Sequence, residues 1–81
     1  MIKSHEIGVT DGHGDALRLV IRKDENGTLH VDVINLMCLL EYPPIVGSLD
    51  RVEQGLALWI DATPAQTIRK QIEQDVAQGV L

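Results

Sequence analysis

The chemistry most readily assembled from this sequence lies in Asp11-Gly12-His13-Gly14-Asp15, with His5 and Glu6 a few residues earlier. Two carboxylates and an imidazole on a flexible glycine backbone could converge on a divalent cation, because oxygen and nitrogen donors together suit several such ions. The spacing matches neither a zinc nor a calcium signature. There is no HExxH pair, and the alternating acidic ligands and terminal Glu of an EF-hand loop are missing. The same five residues also make a tight polar connection between strands, with glycine at positive φ and aspartate bonding its own backbone. A turn is therefore the leading reading. A metal-dependent binding or hydrolytic module using Asp11, His13 and Asp15 is the alternative.

Other catalytic constellations fare worse. Gly12-His13-Gly14 begins like GxGxxG, but Leu17 stands where the third glycine belongs, and the segment precedes a strand instead of opening a helix. Neither a P-loop nor a GxSxG elbow is present. Ser4, Ser48 and His30 lack the enclosed pocket, orienting group and oxyanion site that catalysis needs, and a chain of 81 residues can scarcely build them alone. The expectation is a protein that is not an enzyme and takes no cofactor. The lone Cys38, between Met37 and Leu39, reads as a buried, inert thiol in a reducing compartment.

Binding chemistry is better represented. Tyr42-Pro43-Pro44-Ile45 is stiff and apolar where a connection would normally be polar, so a binding edge or dimer seam is expected there. The net charge of −5, with scattered bases and no Phe, argues against a surface that tracks phosphates. It suits a protein partner with a basic surface, steered by Glu41, Asp50 and Glu53. The expected role is that of a regulator, inhibitor or assembly factor, one form of which blocks a basic nucleic-acid-binding surface. Size and acidity of this order are common among phage and mobile-element accessory proteins, an analogy of scale only. The N-terminus lacks the apolar stretch of a secretory signal and no run reaches bilayer length, so a cytoplasmic location without membrane contact is expected.

These residues must be positioned by a small α+β domain spanning 1–81, a three-stranded antiparallel sheet packed by two C-terminal helices. The clearest element is a hairpin over 16–34. A two-residue Asn26-Gly27 turn would place apolar positions opposite polar ones. A three-residue loop, Glu25-Asn26-Gly27, instead sets Ile21 against Val31 and Leu19 against Val33 on one face, with Arg22 against His30 and Val20 against Asp32 on the other. Residues 3–9 read as an edging strand. Segment 36–40 fits either a strand continuation or a short helix.

Ser48 caps a helix over 48–60, with Leu49, Val52, Leu56, Trp59 and Ile60 on its apolar side. Trp59 belongs to the core on this spacing. Thr63-Pro64-Ala65-Gln66 reads as a capping box opening a second helix over 64–78, with Ala65, Ile68, Ile72 and Val76 as its stripe. About a third of the chain is Ile, Val or Leu, and its only aromatics are Tyr42 and Trp59. So many apolar faces in so short a chain lead us to expect a homodimer or an obligate partner.

Overall fold

The computed structural model describes residues 3–81 as five strands and two helices. The strands are β1 (Lys3–Thr10), β2 (Ala16–Lys23), β3 (Leu29–Asn35), β4 (Leu40–Glu41) and β5 (Ile45–Gly47), and the helices are α1 (Leu49–Ile60) and α2 (Ala62–Ala77). The class is α+β, as expected, and the hairpin takes the face-separating register: Ile21 pairs with Val31, Leu19 with Val33, Arg22 with His30 and Val20 with Asp32. Its turn is fixed by Asp24, whose Oδ1 accepts from the Asn26 and Thr28 amides at 2.9 and 3.0 Å while Gly27 takes φ 82°. Glycine is needed there because side chains disfavour that region. Antiparallel pairing of β1 with β2 sets Ile7 opposite Leu19 and Val9 opposite Leu17 at one edge of the sheet.

The sheet has five strands where three were expected. After β3 the chain reverses and adds β4 to one end of β3 (Asn35 opposite Leu40) and β5 to the other (Val31 opposite Ile45). These strands are two and three residues long, too short to show alternation, and Tyr42-Pro43-Pro44 divides them. Segment 36–40 is thus mostly turn, and its apolar residues face outward: Cys38, expected to be buried, is exposed.

Both helices cover the face bearing Leu17, Leu19, Ile21, Val31 and Val33, and contribute Val52, Leu56, Ile60, Ala65, Ile68 and Ile72 to the core. Fully burying each Val, Leu or Ile side chain among these is worth roughly 1.5–3 kcal/mol. The Ser48 hydroxyl caps α1, accepting from the Arg51 amide at 3.3 Å. Gly55 lets α1 approach β5, since a Cβ there would lie 3.0 Å from Ile45 Cδ1 and Cγ2. Trp59, expected in the core, is 40% exposed at the flank of α1.

The start of α2 differs from the capping-box expectation. Asp61 alone separates the helices at φ 77°, and the Ala65 amide bonds the Asp61 carbonyl at 3.2 Å, so the helix begins at Ala62. Thr63 and Pro64 then lie inside the first turn, where the missing proline N–H has no intrahelical acceptor in any case. The far end differs too. Val76 is partly exposed, and Asp75 occupies the inward position. Gly79, at φ 79°, turns the chain back so that the Val80 and Leu81 amides reach the Asp75 carbonyl and Leu81 enters the core. No helix among the described residues is long and apolar enough to cross a membrane.

Candidate functional site

The loop that suggested a metal is a buttress. Asp11 is buried, and its Oδ1 accepts from the His13 and Asp15 amides, both at 2.9 Å, while Gly14 adopts φ 87°. This closes a polar turn on itself. Asp15 Oδ2 in turn accepts from Asn35 Nδ2 at 3.1 Å. Asn35 ends the inward stripe of β3 and is buried; its Oδ1 accepts from the Met37 amide at 2.9 Å and the Cys38 amide at 3.4 Å. The Leu36 amide bonds the Ala16 carbonyl at 2.9 Å. Carboxylates and a buried amide are thus used to hold the 36–39 turn. Among the described residues, no group of three or more His, Cys, Asp or Glu is placed to hold a metal ion, so Asp11, His13 and Asp15 do not converge on one point.

What the buttress holds is apolar. Met37 is 69% exposed and Leu39 79%, flanked by the less exposed Leu36 and Leu40. Leu39 sits at φ 57°, a conformation that costs a non-glycine residue roughly 1 kcal/mol. The surface continues into Tyr42, whose ring lies 5.1 Å from that of Trp59 and tilted by 36°. Pro44 then forms a ridge between two shallow grooves. One, of about 250 Å³, runs between β5 and α1 and is lined by Val46, Arg51, Gln54, Gly55 and Leu58. The other, of about 330 Å³, lies on the uncovered sheet face against Val20, Asp32, Ile34, Glu41 and Tyr42.

The residues singled out for partner binding are therefore divided. Glu41, Tyr42, Pro43 and Pro44 share this edge, whereas Ile45 points into the core. Asp50 and Glu53 lie on α1 and are engaged by Arg69, which donates to Glu53 at 2.7 Å, to Glu73 at 3.0 Å and also to Asp50. The bonds to Glu53, Glu73 and Asp50 hold the guanidinium well above the ordinary arginine range. Of the three acids expected to steer a partner, only Glu41 lies on this edge; Asp32 also lines the groove but is paired with Arg22 at 3.8 Å.

Composition alone could not reveal Leu36, Leu39, Leu40 and Leu58 as surface residues. For Leu36, Leu39 and Leu40 the signal that could have done so is Asn35, a polar residue on the inward parity of β3 that announces a turn. Elsewhere, His5 Nδ1 meets the carboxylate of Asp75, which is 2% exposed and also accepts from Gln71 at 2.9 Å. That pair ties β1 to α2. Among the described residues no buried side-chain polar atom lacks a partner. Comparison with family models, curated proteins and solved structures finds no match.

Proposed function

We propose that this chain is a small non-enzymatic protein that works by binding another protein, as a regulator, inhibitor or assembly factor, through the edge running from Leu36 to Pro44. The observation that carries the reading is the 36–39 turn. Several large aliphatic side chains are held out to solvent by a chain of buried polar bonds from Asp11 through Asp15 to Asn35. Soluble chains seldom leave such residues contiguous and exposed without an interaction to make. Tyr42 and Trp59 add aromatic anchors beside them. Glu41 gives the sheet-side groove an acidic rim, which suits an apolar partner segment carrying a basic residue. Occupation of a basic nucleic-acid-binding surface is one form this takes.

The test compares wild type with Leu39→Asp and Glu41→Lys in affinity capture from the native host, then measures Kd for the protein recovered. Leu39→Asp is expected to weaken binding roughly tenfold or more, and Glu41→Lys to slow association and flatten its salt dependence. Both positions are solvent-exposed, so the fold should survive, as circular dichroism would show. Capture unaffected by Leu39→Asp would sink the reading.

A further inference from the structure

The two edges of the sheet are unequal. One consists of β4 and β5, two and three residues long and interrupted by Pro43-Pro44, which is how natural sheets discourage strand addition. The other is β1, eight residues without a proline, whose outward backbone groups pair with no strand among the described residues. Its helix-side residues Ile7 and Val9 are only half-buried. At its centre stands Gly8, a residue that weakens a strand interior and commonly marks close approach by another group. Nothing among the described residues explains it: a Cβ at Gly8 would meet none of their atoms within 4 Å.

We propose that β1 is a self-association edge, through which two copies pair antiparallel about a two-fold axis at Ile7 and join their sheets into one. This inference is independent of the partner-binding edge, which lies on the opposite side of the sheet. Keeping both helical layers on the same side requires like faces to meet, so odd positions must oppose odd positions and even positions even. A register centred on Glu6 would set its carboxylate against its own copy, which is unfavourable. One centred on Gly8 leaves the first half of the strand unpaired, and one centred on His5 leaves the second half. Centring on Ile7 pairs Ser4 with Thr10, His5 with Val9 and Glu6 with Gly8 of the second copy, with no like charges opposed.

Charge complementarity then selects this occupant. Within each chain Gly8 is paired with Arg18 of β2, so the register places Glu6 of one copy, Gly8 of the other and Arg18 of that other in a single row on the uncovered face. Adjacent strands are about 4.8 Å apart, so Glu6 and Arg18 stand about 10 Å apart at their Cα atoms with only a glycine between them. Their long side chains can meet over it. Neither residue makes an ion pair among the described residues of its own chain, and the two-fold axis makes the pair twice.

Sedimentation equilibrium of the full chain, from micromolar to hundreds of micromolar, tests this with wild type, Glu6→Arg and the exchanged pair Glu6→Arg/Arg18→Glu. Wild type is expected to dimerise, Glu6→Arg to weaken the dimer roughly tenfold, and the exchanged pair to restore it. Circular dichroism checks that each variant is folded, and hydrogen exchange should show β1 amides gaining protection as concentration rises. A wild type that stays monomeric throughout the range overturns the proposal. So does a dimer indifferent to Glu6→Arg, or one whose protection maps to residues 36–40.

Discussion

Replacing Asn35 by Ala would remove the link between the Asp11 turn and the exposed apolar turn. Three hydrogen bonds disappear: one to the Asp15 carboxylate at 3.1 Å, and those from the Met37 and Cys38 amides at 2.9 and 3.4 Å. The last is long and contributes little. A neutral bond is worth about 0.5–1.5 kcal/mol net and one to a charged group about 1.5–3, so the expected loss is about 2–4.5 kcal/mol. For a domain of this size that lowers the melting temperature by about 10–35 °C. Urea denaturation gives the free energy, and amide exchange reads the turn: Met37 and Cys38 should exchange much faster than in wild type, with the hairpin amides between Ile21 and Val31 less affected. Asn35→Asp retains the acceptor but sets a second carboxylate beside Asp15, and should be at least as unstable at neutral pH. A loss below about 0.5 kcal/mol would show that the turn stands without its buttress, because a single net hydrogen bond already reaches that value. Unchanged exchange at Met37 and Cys38 would refute the same reasoning.

Two further outcomes follow from the packing and the hairpin turn. Gly55→Ala adds about 1 kcal/mol of helix propensity, but its Cβ would lie 3.0 Å from two Ile45 atoms, and overpacking costs about 1–3 kcal/mol. A net loss near 1 kcal/mol is expected in denaturant titration, and a net gain would mean that Ile45 yields freely. Asp24 is held below its ordinary 3.8, first by the hydrogen bond from His30 and then by backbone bonds from Thr28 and Asn26. A lowered folded-state value stabilises above the unfolded pKa and is lost as pH falls through the folded one. Carboxyl titration by NMR should therefore give a midpoint under 3.8 in wild type that rises in His30→Ala; an unmoved midpoint would dissociate the two groups.

How far the fold was legible depended on whether apolar residues pointed inward. The hairpin register followed from parity, because Leu19, Ile21, Val31 and Val33 all had to share a face and only one loop length achieved it. The same assumption failed for segment 36–40, where Leu39 and Leu40 are exposed, and for Trp59, which covers Tyr42 at the flank. Strands as short as β4 and β5 carry no periodicity to read. In α2, Asp75 takes the inward position in place of Val76 because His5 on β1 satisfies its carboxylate there. Sequence alone gives no means of locating a partner seventy positions away. The Tyr42-Pro43-Pro44 edge was visible in composition, whereas the role of Asp15 in holding the neighbouring turn required the contact with Asn35.

The inequality of the two sheet edges also decides how large an assembly can become. A sheet with two open edges propagates without end, which is the route to fibres. If each β1 is consumed by its copy, the outermost strands of the pair are the short, proline-split β4 and β5, which offer no template for a third chain. Growth then terminates at two. Increasing concentration should saturate the pairing and never raise light scattering beyond that of a dimer, making the prolines that follow β4 chain terminators of assembly as well as parts of a surface.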